Sequence, residues 1–78
     1  MVINMKYNER IRELREDNGL TQVFVASLLH VGQSAYSAYE LGKRTIPMEA
    51  LIILAKYYNV TMDYIVGISN IKMPYPKQ

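Results

Sequence analysis

An all-α fold of five short helices is what this sequence predicts, and three observations predict it. Apolar residues recur at three- and four-residue spacing, glycine or asparagine closes each such run, and threonines stand where helices would begin. The 78 residues make one compact domain the natural expectation, because a chain of this size buries only about 60% of the surface it exposes when unfolded. Half the residues are hydrophobic and 21% are charged, a composition that folds. With no cysteine, neither a disulfide nor a thiolate metal site can supplement the helix packing. The longest apolar stretch, residues 50–55, falls far short of the ~20 residues that span a bilayer, and residues 1–5 lack the apolar core of a signal peptide. A cytoplasmic location is expected.

Helix 1 is read from Tyr7, Ile11 and Leu14, with Asn18-Gly19 as its left-handed stop. The alternating charges of this segment, Arg10, Arg12 and Arg15 among Glu9, Glu13, Glu16 and Asp17, read as a solvated face. Thr21 caps a very short helix 2 whose apolar face is Val25, Leu28 and Leu29, with Ala26 beside it. His30, Val31 and Gly32 break the pattern. Helix 3 then runs over residues 33–41, with Tyr36 and Tyr39 three apart and Gly42 beyond its end. Thr45, Ile46 and Pro47 form a rigid connection to helix 4, whose stripe is Met48, Leu51, Ile52, Ala55 and Tyr58 and which closes near Asn59. Thr61 caps helix 5, Asp63 suits its positive end, and Gly67 terminates it. Residues 68–78 carry Pro74 and Pro76 and no periodicity, so a tail ordered only by a partner is expected there.

Residues 22–41 describe two helices crossing steeply. A small side chain at Ala26 permits close approach, Val31 fills the angle of the turn, and Tyr36 and Tyr39 face back into the core. What remains outward on helix 3 is Gln33, Ser34, Ala35, Ser37 and Ala38, all short or amide-bearing and none acidic. Such a face fits a DNA major groove about 12 Å wide, where glutamine pairs with adenine, serine bonds several bases, and an alanine methyl meets the thymine methyl. Net charge is only +2, so the distribution matters more than the total, and the cations without acidic neighbours beyond Glu40 are Lys43 and Arg44.

Four motifs together carry a resemblance to a known family: I-R-E-L-R-E-D-N-G-L-T-Q at residues 11–22, V-A-x-L-L at 25–29, Y-S-x-Y-E-x-G-K-R at 36–44, and L-A-K-Y-Y-N-V-T-x-D-Y at 54–64. The sequence resembles the Cro and phage-repressor (XRE) helix-turn-helix regulators over about residues 6–67. The resemblance implies a five-helix, lambda-repressor-like DNA-binding domain with helices 2 and 3 as the helix-turn-helix. It implies that Gln33, Ser34 and Ser37 reach bases or backbone, beside the base contact read above for the Ala38 methyl, that Gln22, Lys43 and Arg44 contact phosphates, and that Arg15 pairs with Glu40 to fix the reading helix on the scaffold. It also implies a homodimer on double-stranded DNA, a repressor on a pseudo-palindromic operator. Tyr64, Ile65, Ile68 and Ile71 are the expected dimer contacts.

Three residues depart from the family pattern. His30 stands where the turn usually has glycine, Gly32 where serine or threonine caps the reading helix, and Ala38 where a longer polar residue often reads a base. Val23 and Phe24 occupy usually charged positions, and Phe24 either folds under helix 1 or offers a partner surface. Tyr36, Tyr39 and Tyr58 fall on core stripes, leaving Tyr7, Tyr57, Tyr64 and Tyr75 as surface groups, which argues against a single-strand stacking platform. A lone histidine and scattered carboxylates supply no nucleophile–base pair and no metal cluster, so neither an enzyme, a cofactor, a metal nor a small-molecule ligand is expected. The competing reading is a protein-interaction module, such as an antitoxin or antirepressor component, using Val23, Phe24 and the tail.

Overall fold

Several helices of this chain start or stop on side chains suited to the backbone groups a helix end leaves unpaired. In the computed structural model, which describes residues 6–67 and 72–76, the helices are α1 (Tyr7–Asp17), α2 (Gln22–Leu28), α3 (Gln33–Glu40), α4 (Met48–Tyr58) and α5 (Met62–Ile65). Among the described residues there is no strand. Thr21 Oγ1 accepts the Phe24 N–H at 3.0 Å to open α2, and Thr61 Oγ1 accepts the Tyr64 N–H at 3.1 Å to open α5. Glu9 accepts the Lys6 N–H at 3.0 Å, satisfying a donor at the start of α1. Asn18 donates its amide to the Leu14 carbonyl at 2.8 Å, and Gly19 at φ +65° turns the chain away, a conformation that costs glycine nothing.

The apolar faces converge on one core. Ile11 and Leu14 from α1 meet Val25, Ala26 and Leu29 near α2, Tyr36 and Tyr39 from α3, Leu51, Leu54 and Ala55 from α4, and Tyr64 and Ile65 from α5, with Ile46 and Val60 contributed by connections. The helix α3 packs on both α1 and α2, and α5 packs on α1 and α4. The first helix thus lies against the elements at both ends of the fold.

The stripe on α4 is centred differently from the periodic reading. Leu51, Leu54 and Ala55 are buried, Ile52 and Tyr58 are half-buried, and Met48 is exposed. Met48 opens the helix before it reaches its neighbours, whereas Leu54 projects between Leu51 and Tyr58 on the inward side. Arg10 also departs from the solvated face assigned to it. It is 3% exposed, because on the helix it lies beside Leu14, and its guanidinium stacks 3.9 Å from the centroid of the Tyr64 ring.

The same packing corrects the expected dimer contacts. Tyr64 and Ile65 are buried within the chain itself and have little apolar area left to offer a second copy, and Tyr64 is not the surface tyrosine it was read to be. Ile68 and Ile71 lie outside the described residues. In the tail, Lys72 to Pro76 form no helix or strand, yet Tyr75 donates its N–H to Asn59 Oδ1 at 3.1 Å and its ring lies 5.7 Å from the Lys56 ammonium. That part of the tail is held by the end of α4.

Candidate nucleic-acid interface

The junction of α2 and α3 is built on four residues. Leu29 ends α2 in right-handed conformation, His30 takes φ +57°, Val31 is half-buried and donates its N–H to the Ala26 carbonyl at 3.1 Å, and Gly32 opens α3 in extended conformation. A side chain in the left-handed region is sterically costly, and histidine carries that cost here in place of glycine. Gly32 supplies no side-chain cap, and nothing lies within 4 Å of the Cβ a larger residue would bring. Ala26, almost fully buried, lets the two helices close on each other.

Tyr36 is fully buried and Tyr39 is 7% exposed, their rings meeting edge to face at 6.4 Å. These rings hold α3 from behind. On its other side Gln33 and Ser34 are exposed, while Ala35, Ser37 and Ala38 are half-buried. The most accessible groups therefore cluster at the N-terminal end of α3, and Ser37 and Ala38 lie lower in the surface.

A buried carboxylate ties this helix to the rest of the fold. Arg15 donates from Nε to Glu40 Oε2 at 2.7 Å and from Nη2 to Oε1 at 3.1 Å, a two-pronged pairing, and from Nη1 to the Leu20 carbonyl at 3.0 Å. Gln22 Nε2 donates to Glu40 Oε1 at 3.0 Å, and Gln33 Nε2 donates in turn to Gln22 Oε1 at 3.4 Å. Burial pushes the Glu40 pKa up, but the bonds from Arg15 and Gln22, with the nearby Tyr36 hydroxyl, outweigh it and hold the carboxyl below its ordinary value. Burial also pushes Tyr36 well up, with Glu40 adding to it, and pushes Tyr58 up to about 12.

The chain Glu40–Gln22–Gln33 brings two of the residues read from the sequence into direct contact. One N–H of Gln22 is committed to Glu40 and its oxygen faces Gln33, leaving its second N–H for an external acceptor such as a phosphate. Lys43 and Arg44 stand at the opposite end of α3, exposed, their N–H groups both donating to the Ala38 carbonyl at 2.9 and 3.3 Å. Tyr7 steadies this loop from α1. Its hydroxyl donates to the Arg44 carbonyl and accepts the Ile46 N–H, each at 3.4 Å, while Asn8 donates to the Glu40 carbonyl at 3.3 Å. Sequence reasoning missed Tyr7 and Asn8 as supports of the site, since helical spacing says which face they occupy and not that they reach residues more than thirty positions away.

Phe24 neither folds under α1 nor stands alone. It is 41% exposed and its ring centroid lies 6.1 Å from that of Tyr57 on α4. Among the described residues, no helix is long and apolar enough to cross a membrane, and no three histidine, cysteine or carboxylate side chains group as metal ligands.

Comparison with known proteins agrees with this geometry. A protein-family model described as helix-turn-helix matches residues 11–65. The chain is 36% identical over 64 residues to the uncharacterized HTH-type transcriptional regulator YobD of Bacillus subtilis, covering 82% of this chain and 57% of that protein. It is 36% identical over 61 residues to the cryptic phage CTXphi transcriptional repressor RstR of Vibrio cholerae, covering 78% of this chain and 55% of the repressor. With the HTH-type transcriptional activator BcrR of Enterococcus faecalis it shares 39% identity over 59 residues, 76% of this chain and 29% of that one. The chain thus spans 29 to 57% of the length of these three relatives. Among solved structures it matches a transcriptional regulator from Listeria innocua, with TM-score 0.77 and 31% identity over 80% of this chain and 58% of that one. It also matches the P22 c2 repressor in complex with a synthetic operator, with TM-score 0.72 and 25% identity over 81% of this chain and 96% of that one.

Proposed function

Because the chain belongs to the XRE-type helix-turn-helix family of DNA-binding transcriptional regulators, which act by binding and not by catalysis, we propose that it represses transcription by occupying an operator as a homodimer. One short reading helix covers only a few base pairs. Two copies on a pseudo-palindrome, with half-sites about 34 Å apart, give each α3 its own turn of major groove. In this reading Gln33 and Ser34 carry most of the base contacts, the recessed Ser37 and Ala38 contribute fewer, and Gln22, Lys43 and Arg44 hold phosphates at the two ends of α3. Gln22 plays two parts, since its amide both orients Gln33 and offers one N–H to the backbone.

The observation that carries the reading is the exposed Gln33–Ser34 end of α3, backed by the buried Tyr36 and Tyr39. Repression is favoured by the likeness to RstR and to the P22 c2 repressor, a solved relative held on a synthetic operator. Selection of duplexes from a random library followed by sequencing tests it, with a palindromic consensus of two half-sites expected. On that consensus Gln33→Ala costs about 1–3 kcal/mol while leaving random duplex binding nearly unchanged, and Lys43→Ala weakens all duplexes alike. Equal losses on cognate and random DNA for both variants would contradict these assignments.

A further inference from the structure

The outward face of α4 is neither core nor part of the α3 region, and unlike the charged outer face of α1 it is apolar at its centre. Glu49, Ile53, Lys56 and Tyr57 are exposed along it, with Ala50 at its edge, and Ile53 stands 40% exposed at its centre. Phe24 extends the apolar part sideways through its contact with Tyr57, and Val23, next to it in sequence on α2, is 60% exposed. A connected apolar strip of this kind, rimmed by charges, marks a contact surface more than scattered exposure does.

The pattern along the strip is self-complementary. If a second α4 packs face to face and antiparallel on a two-fold axis at Ile53, Ile53 meets its own copy. Glu49 lies four residues before Ile53 and Lys56 three after, so their axial distances from the dyad, about 6 and 4.5 Å at 1.5 Å per residue, nearly match. Both stand on the same side of Ile53 around the helix, at 100° per residue, so the two-fold sets each Glu49 beside the other copy's Lys56. On the other side the same arithmetic sets Tyr57 over the small Ala50. Lys56 now reaches the Tyr75 ring at 5.7 Å, a loose contact that its flexible stem can exchange for a carboxylate. One register therefore satisfies an apolar centre, two ion pairs and two large-on-small contacts at once.

We infer that the α4 face centred on Ile53, with Glu49, Lys56 and Tyr57, is where a second copy of this chain docks. The inference rests on the reading of the protein as one that works in two copies, and it replaces Tyr64 and Ile65, which the core has consumed. A single helix pair with Phe24 at its margin is smaller than the roughly 800 Å² per partner of a standard stable interface. Association of the free protein is accordingly weak, and strengthens when DNA holds two copies together.

The test is sedimentation of the full chain over a wide concentration range at low ionic strength, with charge swaps at exposed positions that leave the core untouched. Wild type shows a concentration-dependent dimer. Glu49→Lys and Lys56→Glu each weaken self-association about tenfold, since symmetry counts each pair twice, and an equimolar mixture of the two variants restores it through heterodimers. Ile53→Asp abolishes it, with circular dichroism confirming the fold. Variants that dimerise like wild type, or a mixture that fails to recover, overturn the inference. So does a wild-type chain that stays monomeric, which would leave the strip to another protein or to the chain's own termini. Salt-sensitive duplex binding is measured on the same samples, and its loss in a chain that still dimerises would overturn the DNA-binding reading and spare this one.

Discussion

Glu40 has almost no access to water, and what keeps it charged is a set of donors drawn from two other helices, Arg15 on α1 and Gln22 on α2. An ion pair this buried is worth little against an apolar replacement of both partners, yet breaking it strands a charge. Arg15→Met is therefore expected to cost about 3 kcal/mol, more than Glu40→Gln, which removes the charge while keeping an acceptor for Gln22. Denaturant titration measures both. The sign of the pH dependence follows from the lowered pKa of Glu40. Below its ordinary value of 4.5 the unfolded chain takes up the proton first, so the stabilisation is complete above that value and is lost as pH falls through the folded one. Thermal melts from pH 7 to pH 3 should show wild type losing stability in the acid range more steeply than Glu40→Gln. A parallel decline would remove Glu40 from the account. Arg10 gives the residue-scale lesson on legibility. Charge alternation along α1 groups it with the solvated arginines, whereas in the fold its guanidinium is buried and stacks on Tyr64, more than fifty residues away in sequence.

At the scale of elements, the punctuation was readable because caps and stops are local chemistry. Thr21, Thr61 and Asn18-Gly19 act within three or four residues of themselves, and the helices open and close on them. The facing of α4 was less readable. Its eleven residues are apolar on more than half their circumference, so periodicity alone admits Met48 and passes over Leu54, and the choice is made by where α5 and the core lie. The turn between α2 and α3 carries the prediction of this scale. His30 sits at φ +57° with its side chain exposed, so its burden is backbone strain and not lost packing. Glycine relieves that strain but gives the unfolded chain more freedom, and the net gain for His30→Gly is expected to be under about 1 kcal/mol. His30→Val, with a branched Cβ in the same region, should destabilise by more than 1 kcal/mol. Chemical denaturation ranks the three. If valine matches histidine, the turn does not hold the left-handed conformation in solution.

Contacts between distant parts of the chain decide the whole molecule, and these were the least legible. Nothing local brings the Tyr7 hydroxyl to the loop after α3, or Phe24 onto Tyr57, because each depends on the angle at which one helix crosses another. The placement of charge, by contrast, is legible in sequence and has a consequence at this scale. A net charge of +2 is too small to hold the protein to DNA by its overall field, and the acidic residues are concentrated in α1, whereas Lys43 and Arg44 stand exposed beside the reading helix. In the proposed reading attraction is local, through phosphates touched at the ends of α3, and its magnitude is set by how many condensed cations each contact releases. With about eight phosphates neutralised by two copies, the logarithm of the binding constant should fall against the logarithm of salt concentration with a slope near −7. Lys43→Ala, present twice, should flatten that slope by about 2. Gln33→Ala lowers affinity on cognate duplex with the slope unchanged, since an uncharged amide releases no counterion. A slope that does not change with Lys43→Ala would move the phosphate contacts elsewhere on the surface, and one near zero for the wild type would leave α3 without a polyanion to read.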